Sequence, residues 1–328
     1  MNKAKYIGVD VHSSTCSLCV IDSQGVELDN RTIVTNGRLL IDYFKSLGKD
    51  LIVTCEECDL SGWFFEIVHK HVREVIICHP AANREYKRAK TDQLDAHHLA
   101  QLLRGGFLHP VFHDGSGREK FRILISNYED TVQELVRAKN RLASMKRRDR
   151  LFDSKNQVHQ TQFIIEQWDQ QIKSLTLVQE KYQQEIKTSV KVFKEQRYLM
   201  SIPGIGPIQS AKIIAQVIDP QRFKNKYKFF AYCGLVRHAR ISNQRHYGAT
   251  YLWGNRMLKC AFKMAAHSAL TGKNALRTYY DYLRKKGVCA DDARNAVARK
   301  IAALTLSLWK NKQFFREQEI LKSLPAED

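Results

Sequence analysis

The chain has 328 residues, 44% of them apolar, and its 53 lysines and arginines against 34 aspartates and glutamates give a formal net charge of +19. This length and apolar content exclude a largely disordered chain and allow one or two hydrophobic cores. The positive excess exceeds what solubility needs and indicates a polyanionic partner, most often a nucleic acid; a generally basic protein is the alternative if the charges do not cluster.

The sequence shows no sign of a membrane anchor. No stretch reaches about 18 consecutive apolar residues, and the first residues, MNKAKYIGVDVH, lead into a strand pattern rather than a secretory signal. We therefore expect a cytoplasmic protein with no membrane partner, whose eight cysteines are reduced thiols rather than disulfides.

The first third of the chain alternates between strand and helix patterns. Apolar runs and tight turns over residues 5–34 predict a three-stranded antiparallel meander. Further patterns predict a helix at 37–47, a strand at 51–57, a helix at 62–71, a strand at 74–80 and a helix at 92–104. This order is typical of the α/β ribonuclease-H-like fold, which we predict for residues 1–116.

The apolar pattern of residues 117–195 predicts a long helical hairpin that resembles a coiled coil. No proline occurs between Pro110 and Pro203, and apolar residues recur three and four positions apart. Basic residues crowd the turn of this hairpin, so it either binds a nucleic-acid backbone or is a solvated helix end. The candidate binding residues are Arg137, Lys146, Arg147, Arg148 and Arg150.

Residues 196–328 predict a mostly helical domain that opens with SIPGIGPIQSAKIIAQV. A turn rich in glycine and proline between apolar helices resembles the helix-hairpin-helix element. In that element, glycines such as Gly204 and Gly206 let backbone N–H groups approach a phosphate. A simple helix-turn-helix corner would have a similar sequence, so both interpretations remain open.

Three places in the first region offer carboxylates to a divalent metal ion. Asp10 lies within the first strand, and Glu57 lies at the end of the fourth. Asp92 and Asp95 open a helix, where an offset of three residues places them on one face. Capping explains one aspartate near a helix start but explains the pair less well. Mg²⁺ prefers several converging oxygen ligands, so the pattern predicts a magnesium site for phosphodiester chemistry.

Other kinds of site fit these residues less well. An actin-like kinase would need further glycine-rich loops, and the chain has only 16 glycines. Two CxxC pairs suggest zinc, but an odd offset within a strand points Cys16 and Cys19 to opposite faces, so we expect buried thiols. His97 and His98 are adjacent on a predicted helix and diverge by about 100°, so they are not expected to bind one ion together.

Six motifs together resemble one transposase family. The segments are IGVDVHSSTCSLCV, CEECDLSGW, KTDQLDAHHLAQLLRGGFLHPVF, SIPGIGPIQSAKIIAQVID, FFAYCGLV and YGATYLWGN. In this order they resemble the insertion-sequence family one-ten, transposases with a DEDD catalytic domain whose relatives include the Piv-type DNA invertases. The resemblance extends over nearly the whole chain.

The resemblance implies a RuvC-type domain whose DEDD residues are Asp10, Glu57, Asp92 and Asp95. Glu57 is chosen over Glu56 because Gly62 and an aromatic residue follow it at the family's spacing.

The resemblance also implies a serine nucleophile in the C-terminal domain. Ser242 is the only serine between Ser210 and Ser268, and Asn243 follows it where the family usually has glycine. A serine hydroxyl is a poor nucleophile unless its surroundings stabilise the alkoxide. Arg237, Arg240 and Arg245 are candidates to hold the scissile phosphate and its developing charge.

The resemblance further implies a transposase that acts on double-stranded DNA with Mg²⁺ and a bridge RNA, as a homo-oligomer, either a dimer or a tetramer. Three alternatives stay open. A Piv-type invertase would need no guide RNA, and a RuvC-like junction nuclease would use water in place of Ser242. A nucleic-acid-binding protein without catalysis would not need the carboxylates.

Overall fold

The computed structural model describes residues 4–80, 91–113, 115, 118–151, 158–237, 239–242, 245–249 and 254–321. The chain forms two compact units, Met1–Glu119 and Lys120–Asp328. The predicted boundary at residue 116 lies close to this division. The predicted boundary at 195 lies inside the second unit, because Ile125 and Ile186 of the helical hairpin are buried in that unit's core.

The first unit contains a mixed sheet and three helices among the described residues. In chain order they are β1 Lys5–Val11, β2 Thr15–Ile21, β3 Glu27–Val34, α1 Gly37–Leu47, β4 Leu51–Glu56, α2 Ser61–Val68, β5 Glu74–Cys78, α3 Asp92–Gly105 and β6 Pro110–Val111. The predicted meander and the alternating elements after it are confirmed, with shifts of one to three residues at some ends.

The sheet has the strand order β3-β2-β1-β4-β5-β6. The first three strands pair antiparallel, β4 and β5 continue parallel to β1, and β6 closes the edge antiparallel. Alternate residues of β1 face opposite sides of the sheet. Ile7, Val9 and Val11 join a core with residues of α1 and α2 such as Phe44 and Phe64.

On the other side of the sheet, α3 packs directly against β1 at Gly8. A Cβ atom at Gly8 would lie 2.0 Å from the carbonyl oxygen of Ala96 and 2.5 Å from the backbone nitrogen of Ala100. The two alanines are fully buried, and their small side chains permit this approach. The side chain of Thr91 caps the start of α3 by accepting a hydrogen bond from the N–H of Leu94 at 3.3 Å. The packing therefore fixes where α3 begins relative to β1.

The second unit is mostly helical, as predicted. Its elements, apart from short 3₁₀ turns at Val190–Val192 and Pro220–Arg222, are α4 Glu119–Leu151, α5 Val158–Ser189, α6 Gln196–Met200, α7 Pro207–Val217, α8 Lys226–Tyr232, β7 Ala239–Ser242, β8 Arg245–Ala249, α9 Arg256–Ala269, α10 Ala275–Lys285, α11 Ala290–Asn311 and α12 Glu317–Leu321. Its core is built from residues such as Ile214, Phe229, Phe262 and Ile301. Within the described part of the chain, no helix is both long and apolar enough to cross a membrane.

A close backbone contact joins the end of α8 to the start of α9. The N–H of Asn255 donates to the carbonyl of Tyr232 at 2.7 Å. A Cβ atom at Gly254 would lie 2.5 Å from the nitrogen of Gly234, and both glycines have positive φ angles, 142° and 62°. Other residue types would be strained at both positions. This contact, which we call the glycine clamp, brings together the two ends of the segment that contains β7 and β8.

The Gly8 contact predicts that Gly8→Ala destabilises the first unit. The added methyl group meets backbone atoms of α3 that cannot turn aside, and overpacking of this kind costs about 1–3 kcal/mol or more. Thermal unfolding followed by circular dichroism should show a lower midpoint. Gly37→Ala is the matched control, because its Cβ would make ordinary van der Waals contacts with the side chains of Ile67 at 3.4 Å and Trp63 at 3.9 Å. Equal midpoints for the two variants would contradict the packing argument.

Candidate active site

Asp10 lies on β1, on the sheet face that α3 covers. It is two residues beyond Gly8, so its side chain points to the same face as the α3 contact. The side chain is 24% exposed, whereas that of Asp92, at the start of α3, is 59% exposed. The carboxylate of Asp10 is therefore partly shielded from solvent and lies beside the acidic first turn of α3, which contains Asp92 and Asp95.

The electrostatics of Asp10 reflect this position. Burial raises the pKa of the Asp10 carboxyl above its ordinary value, and the negative charges of Asp92 and Asp95 raise it further. The imidazole of His12 opposes the rise through its charge and its hydrogen bond. Asp92 and Asp95 thus lie close enough to Asp10 to affect its pKa. Repulsion of this kind is relieved when a cation binds among the oxygens. The shared catalytic role of these three residues stays a prediction.

His12 joins this cluster, and the sequence reasoning missed it. Its Nε2 atom donates to Oδ2 of Asp10 at 3.1 Å and lies 3.9 Å from Oδ1 of Asp92. The potential metal-ligand atoms of Asp10, His12 and Asp92, one from each residue, lie within 4.8 Å of one another, so a single metal ion could contact all three. The signal was present in VDVH, because residues two apart on a strand face the same side.

Two adjacent glutamates, Glu56 and Glu57, lie at the end of β4, and either could supply the fourth carboxylate. Gly8 pairs with Thr54 across β1 and β4, and strand alternation then puts Glu56 on the same face as Asp10. Glu57 follows the strand, and its N–H donates to the carbonyl of Cys78 at 2.8 Å. Strand alternation therefore supports Glu56, while the spacing to Gly62 indicates Glu57, which stays a prediction.

Cys16 and Cys19 lie on opposite faces of the sheet. Cys16 belongs to the core under α1 and α2, whereas Cys19 packs under α3, so the prediction of opposite faces is confirmed. Burial raises the pKa of the Cys19 thiol to about 12, and the nearby charge of Glu27 adds to the effect. Cys19 is therefore a protonated thiol.

His97 joins Cys19 and Glu27 in a hydrogen-bonded cluster. Oε2 of Glu27 accepts from Nδ1 of His97 at 3.0 Å and from Sγ of Cys19 at 3.5 Å. The side-chain nitrogen of Gln101 lies 3.4 Å from Nε2 of His97 and also donates to the carbonyl of Gly25. This amide donor places the imidazole proton on Nδ1. Although the three donor atoms lie within 4.8 Å of one another, hydrogen bonds account for the cluster, which ties β2 and β3 to α3.

Ser242 is the last residue of β7 in a two-stranded hairpin. Its backbone pairs with Arg245, the first residue of β8, and Ile241 pairs with His246. Arg245 is exposed, and so is Arg237, which precedes β7. Asn243 lies outside the described residues, as do the side chains of Ser242 and Arg240. The backbone thus places Ser242 at the turn end of the hairpin, between two exposed arginines in sequence.

The basic residues of the helical hairpin lie in the second half of α4. Arg137, Lys146, Arg147 and Arg148 are exposed, and the side chain of Arg150 lies outside the described residues. Lys146 lies 3.9 Å from the carboxylate of Asp169, so part of its charge is balanced within the hairpin. The exposure suits contact with a polyanion but equally suits a solvated helix end, and the role of these residues stays a prediction.

The two glycines of the PGIGP turn have different surroundings. A Cβ atom at Gly204 would lie 2.1 Å from the carbonyl oxygen of Ala265, so close packing against α9 explains this glycine. Gly206 occupies the N-cap position of α7, and Pro207 follows at the first helical position. No described side chain accepts a hydrogen bond from the N–H groups at the start of this helix. An uncapped helix start suits an anion better than the packed Gly204 does. Neither glycine's predicted contact with a phosphate is tested by this geometry.

Two family models match the chain. Residues 7–146 match the IS110-type DEDD transposase model, and residues 196–281 match the model described as transposase IS116/IS110/IS902 family. The 44.8 kDa protein of insertion element IS116 from Streptomyces clavuligerus is 27% identical over 135 residues, 40% of this chain and 33% of that protein. The 43.6 kDa protein of insertion element IS110 from Streptomyces coelicolor is 27% identical over 121 residues, 37% of this chain and 30% of that protein.

The chain aligns with about a third of the length of these curated relatives. The first family match contains the acidic cluster, and the second contains Ser242. These are the two parts of the chain in which the motifs indicated catalytic residues. The chain belongs to the IS116/IS110/IS902 family of transposases.

Proposed function

We propose that this chain is a DNA transposase that cuts and rejoins DNA with a RuvC-type metal site and a serine nucleophile. The observation that carries the proposal is the cluster of Asp10, His12 and Asp92, whose ligand atoms lie within 4.8 Å of one another. Asp95 lies close enough for its charge to raise the pKa of Asp10, which brings a third carboxylate to the junction of β1 and α3. A glutamate from the end of β4 completes the acidic set. The family and the net charge of +19 both favour DNA as the substrate.

The topology of the first unit supports the ribonuclease-H-like part of the proposal. In such folds three antiparallel strands are followed by parallel strands that alternate with helices, and the order β3-β2-β1-β4-β5 follows that scheme. Asp10 then lies on the central strand, next to the strand that supplies Glu56. A helix packed against β1 brings the last two carboxylates, which is the role of α3 here.

The acidic cluster suits a divalent cation. Carboxylate oxygens are hard donors that Mg²⁺ and Mn²⁺ prefer, and the raised pKa of Asp10 marks a carboxylate that would gain from a nearby positive charge. Asp10, Asp92 and Asp95 would hold the ion, with Glu56 or Glu57 as a further ligand. When bound, the ion supplies positive charge that stabilises the scissile phosphate and the departing oxygen.

In the proposed chemistry, the hydroxyl oxygen of Ser242 attacks the scissile phosphorus. A bond forms between the serine oxygen and phosphorus, the phosphorus–oxygen bond to one sugar breaks, and that sugar oxygen takes up a proton. The phosphoserine ester conserves the bond energy, so a second strand end can replace the serine without ATP. Exposed Arg237 and Arg245 are suited to balance the charge that develops on the phosphate.

The proposal includes a bridge RNA and assembly into a dimer or tetramer. Strand exchange between two duplexes requires several active sites, and a long helical hairpin is a suitable oligomerisation element. The exposed basic residues of α4 are candidates for contact with RNA or DNA. An invertase without guide RNA and a metal-dependent nuclease that uses water are the competing functions.

Asp10→Asn should separate stability from metal binding. Removing the charge relieves repulsion, so the metal-free variant should unfold at the same temperature as the wild type or slightly higher. Mg²⁺ or Mn²⁺ should raise the unfolding midpoint of the wild type, because a metal concentration of 100 times the dissociation constant adds about 2.7 kcal/mol to the free energy of unfolding. The midpoint of the variant should not change when metal is added. The exposed Asp42→Asn on α1 is the control and should respond as the wild type does. An equal response of Asp10→Asn to metal would refute the site.

The two glutamates at the end of β4 can be separated in the same assay. We expect Glu56→Gln to weaken metal binding at least tenfold and Glu57→Gln to change it less than threefold, because only Glu56 shares the sheet face of Asp10. Titration of each variant with Mn²⁺ measures the difference. The reverse ranking would restore the assignment to Glu57 that the motif spacing favours.

Ser242→Ala should abolish a protein–DNA covalent product. Purified protein is incubated with Mg²⁺, cognate supercoiled DNA and a candidate guide RNA, and products are separated on a denaturing gel. Wild type and Ser268→Ala, an exposed serine on α9, should form the linked product, and Asp10→Asn should not. Omitting the RNA tests its requirement. Cleavage without linkage by Ser242→Ala would instead identify a nuclease that uses water.

A further inference from the structure

A cationic cavity lies in the second unit, outside the acidic site. It has a volume of about 520 Å³ and is bounded by the loop after α8 and by facing sides of α9 and α11. This volume falls within the range of about 300–1,000 Å³ that is typical of ligand sites. Four cationic side chains line it, namely Arg237, Lys259, Lys263 and Arg299, together with one carboxylate, Asp292.

The cations of the cavity outnumber its one carboxylate by four to one. Among the residues that the structure describes, none of the four forms an ion pair with a carboxylate. Asp292 accepts a hydrogen bond from Sγ of Cys289 at 3.2 Å. Lys259 and Lys263 are four residues apart on α9, so they repel each other along one helix face. Unbalanced like charges around a concave wall are stabilised when an anion enters.

The cavity is attached to the segment that contains Ser242. Arg237 lines the cavity and is five residues before Ser242, so an extended chain puts at most about 18 Å between their backbones. The glycine clamp between Gly234 and Gly254 holds the start of this segment against the first turn of α9, where Lys259 lies. A nucleic-acid strand bound at the hairpin therefore has phosphates within reach of the cavity.

We propose that this cavity binds a phosphodiester group of the nucleic acid that the transposase acts on or is guided by, close to the phosphate at Ser242. Lys259, Lys263 and Arg299 donate to the phosphate oxygens, and Asn295 on the wall of the cavity offers a neutral polar contact. The choice of ligand rests on the proposed function, whereas the site itself rests on the charges and the shape of the cavity. Phosphodiesters of DNA and RNA share this chemistry, and the test separates them.

The test compares two triple variants of the full chain. Lys259→Gln/Lys263→Gln/Arg299→Gln removes cations of the cavity, and Lys224→Gln/Lys273→Gln/Arg316→Gln removes three exposed cations outside it. Fluorescence anisotropy with labelled duplex DNA, single-stranded DNA and RNA is measured without divalent metal over a range of salt concentrations. Each phosphate contact adds about 0.9 to the slope of log affinity against log salt for duplex DNA.

The cavity variant should bind at least one of the three nucleic acids on the order of 10- to 100-fold more weakly, with a salt slope lower by about 2–3. The surface variant should stay within about threefold of the wild type. Loss with DNA assigns the cavity to the DNA strand, and loss with RNA alone assigns it to a guide RNA. Equal affinities and slopes for the two variants would overturn the proposal.

A single, nearly isosteric change keeps the test sound if the triple variant folds poorly. Asn295→Asp adds a negative charge to the cavity wall and should weaken binding severalfold at low salt and less at high salt. Unchanged binding by Asn295→Asp in folded protein would count against the site. Because binding is measured without metal or covalent chemistry, a failure of the Ser242→Ala prediction leaves this result intact, and the reverse also holds.

Discussion

The acidic site depends on direct contact between two backbones, that of β1 at Gly8 and that of α3 at Ala96. No side chain of β1 separates them, so the helix has little freedom to slide or rotate. One residue of helical rotation changes the direction of a side chain by about 100°. The arrangement that brings Asp92 and Asp95 to Asp10 is therefore a consequence of close packing at Gly8 and Ala96, which are neighbours of the catalytic candidates in sequence but carry no catalytic group themselves.

This packing works against the electrostatics of the site. It brings carboxylates together and removes Asp10 from much of the solvent, and both effects raise the pKa of Asp10. A protein selected for stability alone would have little reason to keep such a cluster. The hydrogen bond from His12 offsets part of the repulsion and also restricts the rotation of the Asp10 side chain. The cavity of the second unit carries the opposite charge but is arranged in a similar way, because its cations form no ion pair with a carboxylate among the described residues.

The sequence was sufficient for features that depend on local patterns. Period-two and period-3.6 patterns predicted the strands and helices of the first unit, and the offset of three predicted that Asp92 and Asp95 would share a face. His12 was accessible to the same reasoning but was overlooked. The choice between Glu56 and Glu57 was not accessible, because it depends on where β4 stops pairing with β1.

The cationic cavity was less accessible to prediction from the sequence than the acidic site, because it depends on how distant helices pack. Arg237 was identified from its proximity to Ser242 in sequence, but Lys259 and Arg299 belong to different helices, and only packing of α9 against α11 brings them together. Gly204 shows the reverse case. Its place in a PGIGP turn suggested contact with a phosphate, which stays a prediction, and the structure adds a packing role against Ala265 that the sequence did not indicate. Composition and motifs cannot distinguish a glycine required by a ligand from one required by a neighbouring helix.

The glycine clamp has a consequence for how this family can diversify. It joins Gly234 and Gly254, the two ends of the segment that contains Ser242, at one point beside α9. Segments with adjacent ends tolerate changes in length and sequence, because such changes leave the contacts at their two ends in place. Relatives could therefore exchange this segment as a cassette. The surroundings of Ser242, the proposed nucleophile, would then evolve separately from the helices that support the segment.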